Sequence, residues 1–542
     1  MSVARRVTAR TARREPPPAS RALPRTDPGL VDHLRADLQA ADLGVPAVEQ
    51  LLGPVAGAAL HREQPIPALL ATSPGLAGEL PLPTLVRHLL LGAEVSRAAL
   101  DRALPRLGTA GAERLGLVES SGHGPHDAVR PLVDLRPYAA TDARGEVAWW
   151  LASDLGETAT GAALTADHVL GVGGASVTLA QVTIRTPVDR TLDLGTGCGI
   201  QALHAARHSR AVVATDLSAR ALGFAAFNAA LACVRLDLRH GSMLEPVLAP
   251  GSGRPADPVG FDLVVSNPPF VITPRADADG VRYEYRDGGR AGDDLVRDLV
   301  RDVGAVLAPG GVAQLLGNWE HRDDLDWRER VGTWVDDSGL DAWVVQREVL
   351  DPAQYVETWL RDGGTTRDRD AGGWAAAYAA WLEDFERRGV VAVGLGMVVL
   401  RRPTSGAPTL RRLEEQPGPV RQPLGDHLAA ALAAHDWLTG HDDDALLAAR
   451  LVVAGDVTEE RHLRPGATDP TVVLLRQGDG FGRVVRTGTA LAGLVGACDG
   501  ELAVWQILGA LGVLLEQPVA ELRAALLPAV RDLLRDGLLR PA

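Results

Sequence analysis

The apolar positions of this chain change period along its length. From Thr191 to about Arg402, short apolar runs alternate with stretches whose apolar residues recur at helical spacing, the pattern of strand–helix–strand units. The runs "TLDLG", "AVVATD", "VRLDLRHG", "FDLVVSN", "GGVAQLLG", "LDAWVVQREV" and "VVAVGLGMVVLRR" predict seven strands. Two helical segments, "DPAQYVETWLRD" and "GWAAAYAAWLEDFERRG", stand before the last of them. Upstream, from Asp32 to Glu119, the period is helical and broken by Pro and Gly, loosely like a winged-helix unit. "VRPLVDLRPYA" and "EVAWWLASD" then predict an antiparallel ribbon. A Pro-rich stretch follows Arg401, and beyond it come helices, the strands "ARLVVAG" and "PTVVLLRQ", and three amphipathic helices with a short terminal strand, again winged-helix-like. The expected division is a disordered tail (1–27), a small N-terminal α/β module of winged-helix-like helices plus β ribbon (28–155), a large α/β domain (156–403), a linker (404–423) and a C-terminal winged-helix-like domain (424–542).

Composition narrows the function. At 542 residues and 46% hydrophobic content, the chain has enough apolar material for several buried cores. All 55 basic residues are arginine, which we read as coding bias. A formal net charge of -14 argues against a globally basic nucleic-acid binder. Cys198, Cys233 and Cys498 are scattered and show neither a disulfide framework nor metal-ligand spacing, so no metal is expected. No apolar run has membrane-spanning length, and the Arg-rich N-terminus lacks the apolar segment of a secretory signal. The expectation is a cytoplasmic protein with no membrane partner.

"TLDLGTGCGI" places Asp193, Gly195, Thr196, Gly197 and Gly199 between a strand and a helix, where glycines let the backbone turn tightly and approach a ligand. The next strand ends in Asp216, followed by Leu217; a carboxylate there suits ribose hydroxyls. The spacing is G-x-G-x-G rather than G-x-G-x-x-G, so an adenosine ligand without a cradled pyrophosphate fits better than a dinucleotide. In "HGSML", Ser242 and Met243 follow the third strand.

The fourth strand runs into Asn267, Pro268, Pro269 and Phe270 at the sheet edge where such folds bind ligands. Two prolines make a stiff turn without N–H donors. The Asn267 side chain and the Pro268 carbonyl then offer two acceptors to one planar –NH2, and Phe270 can stack on its plane. The pair favours rehybridisation of a weakly nucleophilic nitrogen, so orientation and acceptors carry the chemistry and no strong base is required.

Together the Asp-x-Gly-x-Gly-x-Gly loop, Asp216 and the Asn-Pro-Pro-Phe loop resemble the class I S-adenosylmethionine-dependent methyltransferases of the amino-methylating group. The release-factor glutamine, rRNA guanine-N2 and adenine-N6 methyltransferases are the relatives nearest in motif. "DHVLGVGGASVTLAQVTIR" (167–185) is similar to the segment that closes over the cofactor in those families, and "YRDGG" (285–289) to a stretch after their catalytic loop. The resemblance implies a Rossmann-like seven-stranded sheet of order 3-2-1-4-5-7-6 with its last strand antiparallel, and S-adenosylmethionine as cofactor. It implies that Asp193, Gly195, Thr196, Gly197, Gly199, Asp216, Leu217, Ser242, Met243 and Asn267 contact the cofactor, and that Asn267, Pro268, Pro269 and Phe270 form the catalytic loop. The implied substrate is macromolecular: a glutamine amide of a translation protein, or a nucleobase amine in RNA or DNA. A methyltransferase-like scaffold that binds nucleic acid without catalysis is the alternative.

Other residues carry weaker signals. Arg282, Arg286 and Arg290 flank "YEYRDGG" and suit either a charged substrate or solvent; His321 reads as structural; Trp359, Trp374, Tyr378 and Trp381 read as core packing or a substrate lid.

Overall fold

The computed structural model describes residues 23–77, 80–162, 164–251, 253, 256–257, 259–274, 286 and 288–542. Most of the expected tail, Arg282 and two residues of "YRDGG" lie outside them.

The alternating runs form one sheet with strands β1 (Val188–Leu194), β2 (Ser209–Asp216), β3 (Asp237–His240), β4 (Phe261–Ser266), β5 (Leu307–Arg322), β6 (Asp341–Leu350), β7 (Val390–Arg401) and β8 (Arg411–Glu415). Their order is β8-β6-β7-β5-β4-β1-β2-β3. β1 pairs in parallel with β2 and β4, and β7 runs antiparallel to both β5 and β6. The helices are α1 (Gly174–Val182), α2 (Ile200–Ala205), α3 (Ala219–Leu231), α4 (Asp294–Asp302), α5 (Trp327–Ser338), α6 (Pro352–Asp362) and α7 (Ala371–Arg387). The chain leaves β1 toward β2 and β3, then returns as β4 on the other side of β1. That reversal opens a crevice beyond the carboxyl ends of β1 and β4. Leu192, Leu194, Val264, Leu315 and Val398 are buried in one core with Trp319 and Trp334, which accounts for the near-continuous apolar strands.

Two strand expectations need correction. The sheet has eight strands, because Arg411–Glu415, expected in the linker 404–423, adds a parallel edge strand to β6. Its four charged residues around a single Leu hid it, yet they find partners: Arg411 pairs with Asp336 at 2.7 Å, and Glu414 accepts from Trp343 Nε1 and Arg483 at 2.7 Å each. A charged edge also discourages pairing with another chain. β5 extends to Arg322, past the end expected from "GGVAQLLG". Trp319 Nε1 donates to Gln346 Oε1 at 2.7 Å, and fully buried Glu320 is met by Arg322 and Arg388, so polar residues can occupy a central strand.

The N-terminal module packs against this sheet domain. Strands Val95–Ser96, Ala128–Pro131 and Val118–Ser120 lie side by side in that order, with helices Arg97–Ala103 and Gly108–Arg114 between the first and the last. The Ser96 hydroxyl caps the first of these helices by accepting from Ala99 N–H at 3.2 Å. The ribbon Asp134–Asp142 with Gly145–Ser153 forms as expected. Val31, Leu34, Leu135 and Leu151 share a core with Phe224 and Phe227 of α3. The Arg35 guanidinium donates to the carbonyls of Leu231 and Ala230 at 2.9 Å each, closing the C-terminus of α3. The Asn228 side chain accepts from Ala152 N–H at 2.7 Å and donates to the Ala152 and Cys198 carbonyls at 2.9 and 2.8 Å.

In the C-terminal region, helices Thr489–Gly496, Val504–Leu514 and Val519–Arg535 form with a terminal strand Leu539–Pro541. The winged-helix expectation does not carry over. The middle strand of their sheet, Arg450–Val453, comes from before a separate three-stranded meander of Val457–His462, Val472–Gln477 and Val484–Thr487. No single helix among the described residues is long and apolar enough to cross a membrane.

Candidate active site

A cavity of about 540 Å³ occupies the crevice at the carboxyl ends of β1, β2 and β4. Gly195 and Gly197 turn the chain from β1 into α2 with φ of 74° and 55°, and a Cβ on either would meet nothing within 4 Å. Both face open space. Gly199 (φ 92°) does a different job: a Cβ there would press on Ala225 at 3.2 Å, so it lets α2 and α3 approach. It does not line the cavity.

Asp193 takes an inner position. It is 1% exposed and lies beneath the loop rather than on the cavity wall. Its Oδ2 accepts from the Thr196 hydroxyl at 2.6 Å and from Ala202 N–H at 2.9 Å, which ties the glycine loop to the helix that follows. Burial pushes its pKa up to about 7 from 3.8, against the opposing pull of the Thr196 and Ala202 hydrogen bonds. A raised carboxyl favours the folded state below the unfolded pKa, and that contribution is lost as pH rises through the folded one. The melting temperature of the wild type is therefore expected to fall from pH 4 toward pH 7 more steeply than that of Asp193→Asn. Scanning fluorimetry across that range checks it; parallel curves would contradict the assignment.

At the end of β2, Asp216 lines the cavity and is fixed by the backbone: Oδ2 accepts from Gly197 N–H at 2.9 Å and Oδ1 from Ser218 N–H at 2.8 Å. Leu217 beside it is 59% exposed, an apolar wall. Gly241, whose N–H donates to the Asp216 carbonyl at 3.0 Å, leads into Ser242 and Met243, and both line the cavity. Met243 has φ of 47°, a conformation costly for a residue with a Cβ, which turns this loop across the mouth of the site.

β4 then delivers Asn267, Pro268, Pro269 and Phe270, all of which line the cavity. The Ser266 hydroxyl donates to the Leu194 carbonyl at 2.7 Å, locking the last turn of β4 to β1. The Asn267 Oδ1 is buried and has no hydrogen-bond partner among the described residues. An orphaned acceptor of this kind costs about 1–3 kcal/mol, and its presence at a cavity marks a place where a donor is missing.

The segment before β1 closes one side through residues His168 to Ser176, and Gln201 Nε2 latches it by donating to the Ser176 carbonyl at 2.7 Å. Trp359 and Asp362 of α6 close another side, along with Arg286 and Arg290. Of the four aromatic residues singled out in the insertion, only Trp359 reaches the cavity; Trp381 is buried against Tyr355 and Phe385. Trp374 and Tyr378 pack on each other. Gln201, Thr215 and Asp362 carry no signal in the sequence, because nothing local distinguishes a cavity-facing polar residue from a solvated one. His321 binds Gln346 at 2.7 Å and stacks on Trp327, a structural role. A larger groove of about 1100 Å³ shares Met243, Arg290 and Leu295 with the cavity and leads away past Leu299 toward Arg402.

Residues 172–282 match the family model described as methyltransferase small domain. The match spans the glycine loop, Asp216 and the Asn-Pro-Pro-Phe turn. Around the methyltransferase small domain, 40–131 and 429–541 match two models described as domains of unknown function, DUF7059 and DUF7782. The chain is 40% identical over 138 residues to the release factor glutamine methyltransferase of Deinococcus radiodurans, covering 24% of this chain and 46% of that one. It is 34% identical over 166 residues to the ribosomal protein uL3 glutamine methyltransferase of Bradyrhizobium diazoefficiens, covering 28% and 48%. It thus spans less than half the length of these curated relatives. The solved 16S rRNA N2 G1207 methyltransferase of T. thermophilus, in complex with AdoMet and guanosine, aligns at 18% identity with a TM-score of 0.24, over 45% of this chain and 58% of its own.

Proposed function

We propose that this chain is an S-adenosylmethionine-dependent N-methyltransferase that acts on the side-chain amide of a protein glutamine. One observation carries the reading: a partnerless buried acceptor, Asn267 Oδ1, set in a donor-free Pro-Pro turn at the same cavity as the open glycine loop. The residues fit the cofactor. Gly195 and Gly197 leave room for it, the Asp216 carboxylate suits the ribose hydroxyls, and Leu217 and Met243 offer apolar faces to adenine.

When bound, the cofactor supplies an electrophilic methyl group on a sulfonium. Asn267 Oδ1 and the Pro268 carbonyl accept the two N–H bonds of the target, hold its nitrogen toward that methyl and favour the change from planar to pyramidal. As the N–C bond forms and the C–S bond breaks, the same oxygens stabilise positive charge on the nitrogen, whose extra proton then leaves to water. Phe270 covers the flat face of the group. Glutamine is favoured over a nucleobase by the names of the two glutamine methyltransferases to which the chain is similar, and by the net charge of -14, which repels a phosphate backbone.

Asp216→Ala is expected to weaken S-adenosylmethionine binding by about 10–100-fold, because it removes both the ribose acceptor and the group that fixes Gly197 N–H. Calorimetry reads this directly. For the activity, the protein is incubated with methyl-labelled cofactor and a cell extract, and the products are digested with protease or RNase. Label lost to protease and retained through RNase supports the reading. Label lost to RNase would move the substrate to a nucleobase, and no label with no cofactor binding would leave a scaffold.

A further inference from the structure

The cavity holds a second orphaned polar atom, of the opposite kind to Asn267 Oδ1. The indole Nε1 of Trp359 is buried and has no acceptor among the described residues, and Trp359 lines the same cavity. We infer that Trp359 Nε1–H is the donor for the carbonyl oxygen of the substrate carboxamide, so that Asn267 and Trp359 between them recognise both halves of the group. This rests on the methyltransferase reading above and names the residue that selects its substrate.

The chemistry of the two atoms defines what they accept. A primary carboxamide offers N–H donors and a C=O acceptor two bonds apart, and satisfies both. A carboxylate would set an oxygen against Asn267 Oδ1, and an alkylammonium would leave the indole N–H unpaired. A site built to hydrogen-bond one group rejects its analogues because its own buried polar atoms are then stranded.

The fold holds Trp359 in place for this. Its ring meets Phe270 edge to face at 6.0 Å between centroids. One turn earlier on α6, the Tyr355 hydroxyl accepts from Ile272 N–H at 2.9 Å and from Asn318 Nδ2 at 2.6 Å. The Arg286 guanidinium donates to the Trp359 carbonyl at 2.7 Å, while the Arg286 carbonyl accepts from Val271 N–H at 3.2 Å. The helix that carries the indole is thereby bound to the two residues that follow the Asn-Pro-Pro-Phe turn. Its start is fixed by reciprocal hydrogen bonds between Asp351 and Gln354. Donor and acceptor belong to one stiff assembly, as substrate selection requires.

The test uses the full chain, S-adenosylmethionine and a short peptide with a central glutamine, together with the same peptide carrying thioglutamine, whose sulfur is a poor acceptor. Trp359→Phe keeps an aromatic ring on the same side chain and removes the indole N–H together with part of the bicyclic ring; it is expected to lower kcat/KM for the glutamine peptide about tenfold or more and to leave cofactor affinity unchanged. Wild type is expected to lose a similar factor on the thioglutamine peptide, and Trp359→Phe to lose little further, the non-additivity of a direct contact. Trp359→Phe within twofold of wild type on glutamine overturns the inference. So do full, independent losses from the two changes. If Trp359→Phe fails to fold, wild type on the two peptides still decides: equal rates overturn it. A wild type that binds cofactor but methylates an RNA oligonucleotide instead of the peptide sinks the carboxamide assignment and spares methyl transfer. One that binds no cofactor sinks the function itself.

Discussion

Asn267→Ala is expected to lower kcat for methyl transfer by about 10²–10³-fold, the scale seen when one preorganised polar contact to a developing charge is removed. Its consequence for folding should run the other way. Asn267 Oδ1 is buried with no partner among the described residues, so deleting it removes an unsatisfied group, and the melting temperature should hold or rise. Asn267→Asp keeps an acceptor at the same place and should lose less activity than the alanine variant. Rates with saturating cofactor, read beside thermal melts of the three proteins, separate these expectations. A variant that melts early in proportion to its lost activity would make Asn267 a structural residue at the end of β4.

The largest effect on stability is expected from Asp154→Ala, at about 3–5 kcal/mol. Asp154 is 4% exposed at the end of the ribbon strand Gly145–Ser153 and binds the Arg220 guanidinium with both oxygens. Its Oδ2 also accepts from Val169 N–H at 2.9 Å, in the segment that closes the cavity. The alanine variant takes from the buried Arg220 the carboxylate that binds it with both oxygens and releases the cavity wall together, so chemical denaturation should show reduced stability, and cofactor affinity should fall with it. Asp154→Asn, which keeps the acceptor for Val169 but not the charge, should recover affinity more than stability. Equal recovery of both would mean that the wall does not depend on this contact.

The sheet was legible from sequence because its inner strands are buried on both faces and read as apolar runs. The order 3-2-1-4-5-7-6 is present, with one strand added at the edge. That strand, Arg411–Glu415, was hidden because its stability comes from ion pairs with residues far along the chain, Asp336 and Arg483 among them. Polar residues at the end of β5 were hidden for a related reason, since Glu320 is neutralised by Arg388 from after α7. In the site, the glycine loop and the Asn-Pro-Pro-Phe turn were legible because their chemistry is local. Spacing alone could not tell Gly195 and Gly197, which face the cavity, from Gly199, which serves helix packing, or show that Asp193 turns inward to Thr196 and Ala202. Trp359 was visible as one of four aromatic residues at helical spacing, but which of them reaches the cavity depends on how α6 is pinned by Tyr355 and Arg286.

S-adenosylmethionine is expected to bind in the crevice beyond β1 and β4 and to serve methyl transfer to an amide nitrogen. Mass spectrometry of a glutamine peptide after incubation with the full chain and S-adenosylmethionine tests it most directly. The account predicts a single added methyl on the glutamine side-chain nitrogen, formed by the wild type and nearly lost with Asn267→Ala. A peptide that stays unmodified while the wild type shows no binding of the cofactor by calorimetry would contradict it.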